Sequence, residues 1–306
     1  MALGIICGLT AAALNAGGYL FNTRFLHHYH SPLRLLIVSN FIMLLISLPL
    51  LLILYPTGGL AEWRTILVSL GLGILCYTFG QTSFFLALRE IESSRIASLL
   101  GLKIVILTLI FLLVKHQIPN AGQWTAVLMA SGAAFLINWT GEKWGISMKG
   151  CLFMLFTLIG YSLEDICETS MVMGAVKSGM PILKSSLLAV ALLYTVLGIV
   201  TLPVFFFLKP TRRQVAQGMP CAVFWLGSQI ALMSCFALLQ PVFANVILAS
   251  LGLIAVLLGA ALPFFGIRNL DAAISRKQWI LRGFAALLMI AAIGLYSGAA
   301  MAFKSF

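Results

Sequence analysis

Long apolar stretches alternate with short polar breaks along the whole chain. Ten stretches are long enough for a helix that crosses a bilayer, which needs roughly 20 apolar residues. Proline, glycine and polar residues mark most of the breaks, as in Tyr55-Pro56-Thr57-Gly58-Gly59 and Lys209-Pro210-Thr211. The pattern predicts an all-α integral membrane protein with ten transmembrane helices, at residues 3–22, 33–54, 65–88, 94–114, 122–139, 150–174, 182–208, 217–239, 243–266 and 280–301.

Composition agrees with this pattern and excludes several classes of protein. Of the 306 residues, 61% are apolar and only 9% are charged. Ten helices of about 22 residues leave only short connections, so we expect no separate soluble domain. The net charge is +11, but the basic residues lie singly in the connections, which favours topology and contact with lipid headgroups over nucleic-acid binding. The six cysteines form no CxxC pair, so we predict packed thiols, no metal and no cofactor.

Internal similarity divides the chain into two related halves. Residues 98–105 are similar to residues 249–256, and the pairs Gln123-Trp124 and Gln278-Trp279 open corresponding spans. A third match, between residues 85–88 and 236–239, has a similar offset of about 150 positions. We therefore predict two five-helix repeats, residues 1–142 and 143–306, around a central cavity. An odd number of helices in each repeat gives the two repeats inverted orientations.

Lysine and arginine are distributed unequally between the two sides of the predicted bundle. Thirteen of them lie in or beside the odd-numbered connections, and five lie on the side of the even-numbered connections. The positive-inside rule then places the odd-numbered connections in the cytoplasm and both termini outside.

Ionisable residues inside the predicted spans identify a candidate site. Lys103 lies in the fourth span, and Glu164, Asp165 and Glu168 lie in the sixth. A charged side chain in hydrocarbon costs at least about 2.5–3.5 kcal/mol, so such residues face a protein interior or water. At about 100° per residue, Tyr161, Asp165 and Glu168 all fall within about 100° of Glu164. This stripe is expected to line the interior of the bundle.

Three neighbouring carboxylates favour a proton-coupling site, because they cannot all stay ionised in a low dielectric. We take Glu164 as the main candidate, with Asp165 and Glu168 beside it, and a structural role stays open for the latter two. In a second interpretation, Lys103 simply pairs with one of the acids and joins two helices. One lysine cannot neutralise three acids, however, so the remaining charge needs water, a proton or a ligand.

Uncharged polar residues extend the candidate site. Asn15 precedes Glu164 by 149 positions, which makes it the counterpart of that acid in the first repeat. Hydrogen bonding between helices, worth roughly 0.6 kcal/mol, is the alternative explanation for buried amides. The candidate substrate contacts are Lys103, Asn15, Tyr77, Gln81, Tyr161, Trp225 and Gln229.

The ten-span organisation, the similar fourth and ninth spans and a Gln-x(8)-Gly pattern from Gln123 to Gly132 resemble the drug/metabolite transporter superfamily, in particular its bacterial EamA-like members. The resemblance covers nearly the whole chain. It implies a multi-pass transporter of the bacterial cytoplasmic (inner) membrane with both termini in the cytoplasm, which disagrees with the distribution of basic residues. The oligomeric state stays open between a monomer and a homodimer.

A local match covers residues 164–171. The sequence from Glu164 through Ile166 to Thr169 looks like the first helix of the small multidrug resistance transporters, in which a membrane-embedded Glu binds a proton or a cationic drug in turn. This resemblance gives Glu164 the role of the coupling carboxylate. Lys103 lies near a position where many EamA members carry Pro, and it is similar to the cavity lysine that holds an anionic group in the sugar-phosphate and nucleotide-sugar branches. Export of cationic drugs is therefore disfavoured.

We predict a secondary active transporter that moves a small anionic or zwitterionic metabolite, such as an amino acid or organic acid, by alternating access with proton coupling. Lys103 would bind a carboxylate or phosphate, and Glu164 would carry the proton or meet an ammonium. The alternative is a lipid-linked substrate carrier or a non-transporting membrane partner with the same fold. An enzyme is not predicted, because Asp165 is the only Asp in any span and no span places a His beside a Ser or Cys.

Overall fold

The computed structural model describes the chain except for residues 57–58, 91–98, 117, 138–146, 252, 255–256, 259–275 and 305–306. The described residues form helices and turns and contain no strand. The helices are α1 (Ala2–Tyr29), α2 (Pro32–Leu54), α3 (Trp63–Glu90), α4 (Lys103–Lys115), α5 (Ala121–Ile137), α6 (Met148–Lys177), α7 (Ile182–Leu208), α8 (Arg212–Leu239), α9 (Pro241–Leu248) and α10 (Arg276–Lys304). The prediction of an all-α fold is confirmed.

Six of these helices, α1, α2, α3, α6, α7 and α8, are long and apolar enough to cross a membrane. Two more, α4 and α10, contain shorter apolar stretches, Lys103–Leu113 and Gly283–Gly298. Helix α7 has the predicted bounds of 182–208, and α2 differs by one residue. A helix therefore lies at each of the ten predicted spans, as expected for a chain that passes through a bilayer several times.

Two predicted spans, the fourth and the ninth, are not continuous helices. A turn at Gly101-Leu102 precedes α4, and a turn at Ala249-Ser250 follows α9. In each turn an amide bonds to the carbonyl three residues earlier, Leu102 to Leu99 at 2.9 Å and Ser250 to Ile247 at 3.0 Å. Gly and Ser have low helix propensity, so these positions interrupt the α-helical bonding pattern at little cost.

Helices α5 and α8 begin with reciprocal capping bonds. At α5, the backbone N–H of Asn120 donates to Gln123 Oε1 (2.9 Å) and that of Gln123 donates to Asn120 Oδ1 (2.8 Å). At α8, Thr211 and Gln214 make the same exchange at 2.9 and 3.3 Å. This arrangement satisfies two amides that a helix start leaves without partners. It also explains why α8 begins at Arg212, five residues before the predicted start.

The chain divides into two compact units. Unit 1 contains residues 1–74, 167–238 and 254–271, and unit 2 contains residues 75–166, 239–253 and 272–306. Each unit draws helices from both of the predicted repeats, residues 1–142 and 143–306. In unit 1, α2 packs against α7, and in unit 2, α5 packs against α10. Each of these pairs joins spans that are five apart in chain order, but the division into inverted repeats stays a prediction.

Glycine allows a close helix crossing in unit 2. A Cβ placed on Gly160 of α6 would lie 2.6 Å from the Cα of Gly80 on α3, a distance that no side chain could occupy. The two backbones therefore touch at this level. The crossing brings the next residues of the two helices, Gln81 and Tyr161, beside one another.

Candidate functional site

A buried ion pair lies in unit 2. The ammonium nitrogen of Lys103, the first residue of α4, is 2.8 Å from Oδ1 and 2.8 Å from Oδ2 of Asp165 on α6. The Asp165 side chain is 5% exposed and the Lys103 side chain 18%.

Asn245 on α9 is the second partner of Asp165. Its amide nitrogen donates to Asp165 Oδ2 at 2.7 Å and to the carbonyl of Pro241 at 2.9 Å. Asp165 therefore accepts hydrogen bonds from two helices, α4 and α9. A buried ion pair offsets its desolvation only when further hydrogen bonds satisfy the charged groups, and Asn245 supplies one of them.

Tyr161 extends the site by one helical turn along α6. Its hydroxyl donates to Oε1 of Gln81 at 2.6 Å, and the Lys103 nitrogen lies 6.0 Å from the centre of its ring. Tyr161 and Asp165 are four residues apart and so share one face of α6. We call Gln81, Lys103, Tyr161, Asp165 and Asn245 the polar cluster; all five belong to unit 2.

The other predicted acids lie in different positions. Lys103 pairs with Asp165 and not with Glu164, the acid we favoured from sequence. Glu164 is half-buried on the same helix, and Tyr77 is half-buried on α3. Glu168 is 2% exposed and lies in the part of α6 that belongs to unit 1. The helical stripe identified the face of α6 but could not say which of its acids meets the lysine.

Besides Glu168, three more predicted site residues belong to unit 1 rather than to the polar cluster. Asn15 lies buried on α1, and Trp225 and Gln229 lie half-buried on α8. The indole nitrogen of Trp225 donates to the hydroxyl of Tyr194 on α7 at 2.7 Å. The side-chain oxygens of Asn15 and Gln229 are buried and have no hydrogen-bond partner within the part of the chain that the structure describes.

Sequence reasoning missed Asn245 and Tyr194. Asn245 is the one amide residue of the apolar helix Pro241–Leu248, so the criterion that selects Gln81 and Gln229 would also have selected it. A tyrosine in an apolar helix gives a weaker signal, because its ring alone suits a hydrophobic interior. Among the described residues, no three His, Cys, Asp or Glu side chains are placed to hold a metal ion.

Comparison with known proteins agrees with this fold. Residues 2–139 match the model of the EamA-like transporter family. One solved protein, described only as a crystal structure of a protein, aligns over 99% of this chain and 99% of its own with a TM-score of 0.67 and 14% identity, which shows a shared fold alone. No curated protein matches the sequence. The match of residues 2–139 confirms, over that part of the chain, the resemblance to the EamA-like members of the drug/metabolite transporter superfamily. Together with the long apolar helices, it supports a multi-pass integral membrane protein.

Proposed function

We propose that the protein is a secondary active transporter of the bacterial inner membrane that moves a small anionic or zwitterionic metabolite, an amino acid or organic acid, together with a proton. The match of residues 2–139 to the EamA-like transporter family makes transport the expected activity. The observation that supports the finer proposal is the buried Lys103–Asp165 pair with its bond from Asn245. Ionised side chains within apolar helices are costly and usually mark a substrate or proton pathway.

The pair offers one place for an anion and one for a proton. A substrate carboxylate would compete with Asp165 for the ammonium of Lys103, and a proton on Asp165 would remove that competition. The empty site, with one positive and one negative group, has no net charge. A site that holds Lys103, a protonated Asp165 and a monoanionic substrate has none either. Loading both together therefore adds no net charge to a low-dielectric environment, where an unpaired charge is strongly disfavoured.

The surrounding residues fit this exchange. Part of the Lys103 side chain stays exposed, so that a small solute could reach the ammonium group. Tyr161 and Gln81 would hydrogen-bond the polar atoms of the substrate, and Glu164 would meet the ammonium of a zwitterion or take a second proton. The roles of Asn15, Trp225, Gln229, Tyr77 and Glu168 stay proposals of substrate contact or proton binding.

The same geometry also favours a second interpretation, in which the pair only joins α4, α6 and α9. Such a link would serve a lipid-linked carrier or a membrane partner without transport. The two interpretations differ in what happens when Asp165 loses its ability to titrate but keeps its shape. In a transporter this change separates substrate movement from proton movement, whereas in a structural link it alters only stability.

Proteoliposomes that contain a pH-sensitive dye test the proposal. Individual amino acids and mono- and dicarboxylates are added outside, and internal acidification and exchange of labelled solute are recorded. The parent is expected to acidify the lumen with at least one member of the panel. Asp165→Asn should keep exchange but lose acidification, and Lys103→Met should lose both. Glu164→Gln reports whether that acid contributes to the coupling.

The exposed lysine at the start of α7 provides the matched control, Lys184→Met, which should behave as the parent does. Acidification that is unchanged in folded Asp165→Asn and Lys103→Met proteins would remove the polar cluster from the transport mechanism. A parent that moves no member of the panel would contradict the proposed substrate class.

A further inference from the structure

Unit 1 contains a small cavity between α1 and α8. Its volume is about 220 Å³, and it is lined by Phe21, Arg24, Phe25, Ala216, Gln217 and Pro220. The two helices run antiparallel, since Ser228 Oγ donates to the carbonyl of Ala11 (2.9 Å) while Phe21 packs on Phe224 with ring centres 5.4 Å apart. The cavity therefore lies towards the C-terminal end of α1 and the N-terminal end of α8.

The cavity combines an apolar wall with a free cation. Phe25 is buried and packs with Leu35 and Cys221, so its ring is fixed in place. Arg24 is exposed, and it has no ion pair or hydrogen bond with any residue that the structure describes. A guanidinium presents five donors in a planar fork that matches the oxygens of a phosphate. Gln217 provides an amide on the facing helix.

This end of unit 1 is strongly basic. The segments 19–45 and 200–222 contain no Asp or Glu, and their basic residues are Arg24, Arg34, Lys209, Arg212 and Arg213. Their helix ends are neighbours, because Phe25 packs with Leu35 near the start of α2, and Phe41 of α2 stacks on Phe205 near the end of α7 with ring centres 4.0 Å apart. Basic pockets between transmembrane helices attract anionic headgroups.

The size and the surroundings of the cavity distinguish among anionic ligands. A volume of about 220 Å³ is below the roughly 300 Å³ at which pockets for drug-sized molecules begin. It suits a headgroup whose remaining atoms lie outside. On α8, Met219 and Val223 flank Pro220 and are about half exposed (53% and 49%), and such apolar surface in a membrane helix can contact acyl chains.

We propose that this cavity binds the phosphate group of an anionic phospholipid. Arg24 holds the phosphate oxygens, Gln217 donates a further hydrogen bond, and Phe21, Phe25 and Pro220 contact the glycerol and the first methylene groups. Met219 and Val223 contact an acyl chain of the same lipid. The site is independent of the Lys103–Asp165 pair, so its test does not depend on the transport proposal.

Native mass spectrometry of the detergent-purified protein tests this site. The parent is titrated with phosphatidylglycerol, with phosphatidylcholine and with inorganic phosphate. We expect phosphatidylglycerol to bind more tightly than phosphatidylcholine, and inorganic phosphate not to compete with it at equal concentration. Arg24→Gln should weaken phosphatidylglycerol binding about fivefold, the equivalent of about 1 kcal/mol for one basic residue near an anionic surface.

Two further variants separate charge from shape. Ala216→Phe fills the cavity without changing the charge and should also weaken binding, whereas Arg64→Gln removes an exposed arginine that lies 5.5 Å from the Trp63 ring and should have no effect. Equal binding by Arg24→Gln, Ala216→Phe and the parent would overturn the proposal. Equal weakening of phosphatidylglycerol binding by Arg24→Gln and Arg64→Gln would indicate diffuse electrostatic attraction and would also overturn the proposal. Full competition by inorganic phosphate would overturn it as well.

Discussion

The charged pair of unit 2 and two buried amides of unit 1 differ in whether their polar atoms have partners. In unit 2, the Lys103 ammonium lies 2.8 Å from the Asp165 carboxylate, and the amide of Asn245 on a third helix donates a hydrogen bond to that carboxylate. In unit 1, the neutral amide oxygens of Asn15 and Asn40 are buried without a hydrogen-bond partner among the described residues. Both kinds of residue are polar positions within apolar helices, so the hydropathy pattern alone does not distinguish them.

The physical difference lies in the free energy that it costs to bury each group without a partner. An unpaired buried amide costs about 1–3 kcal/mol, which a folded bundle can tolerate. An unpaired buried charge costs several kcal/mol more, so the fold must supply a counter-ion and hydrogen bonds. Charged residues within spans therefore determine which helices meet, and neutral amides are compatible with several arrangements.

The largest expected effect comes from breaking the ion pair on one side. Lys103→Met leaves the buried Asp165 without its counter-ion, and we expect the free energy of unfolding in detergent to fall by about 3–5 kcal/mol. The double variant Lys103→Met with Asp165→Asn removes both charges and should recover most of the loss. Lys184→Met, at an exposed site, should stay within about 0.5 kcal/mol of the parent. A single variant as stable as the parent would mean that Asp165 needs no counter-ion.

A smaller effect is expected from Asn245→Leu, which removes the amide bond to Asp165 and keeps the ion pair. Hydrogen bonds to charged groups contribute about 1.5–3 kcal/mol, so the unfolding free energy should fall by about that amount. Chemical unfolding followed by tryptophan fluorescence measures the change. In the background of Asp165→Asn the same substitution should cost about half as much, because neutral hydrogen bonds are roughly half as strong. Equal costs in both backgrounds would show that Asn245 does not respond to the charge.

The smallest effect is expected in unit 1. Asn40 on α2 is 1% exposed and its Oδ1 has no partner among the described residues. Asn40→Leu removes a desolvated oxygen, so stability should change by no more than about 1 kcal/mol in either direction. Chemical unfolding followed by tryptophan fluorescence measures this change as well. A loss as large as that of Lys103→Met would contradict the contrast between the charged pair and the neutral amides.

Much of the fold follows from the order of residues. Apolar length predicted a helix at each of ten places, with α7 at its observed bounds, because a bilayer span requires a fixed number of apolar residues. The turns at Gly101-Leu102 and Ala249-Ser250 were not predicted. The hydropathy pattern does not reveal these turns, because the small residues in them are about as apolar as the residues inside a helix.

The candidate site was predicted only in part. Lys103 and Asp165 were selected because a charged residue in an apolar helix is conspicuous. The preference for Glu164 came from the stripe of acids on α6 and was strengthened by a family resemblance, but the structure pairs Lys103 with the neighbouring Asp165. Adjacent residues on a helix point about 100° apart. The position of the lysine in space, rather than the pattern along α6, selected between them.

The sequence by itself determined that this chain is a bundle of membrane helices and that Lys103 and the acids of α6 must avoid lipid, because both properties follow from the transfer of single side chains between water and hydrocarbon. Only the tertiary structure decided that Lys103 meets Asp165, that Asn245 joins them from α9, and that Asn15, Trp225 and Gln229 belong to unit 1. These outcomes depend on distances between segments that are far apart in the chain. Such distances are set by the packing of helix against helix, as at Gly80 and Gly160, and no local pattern contains them.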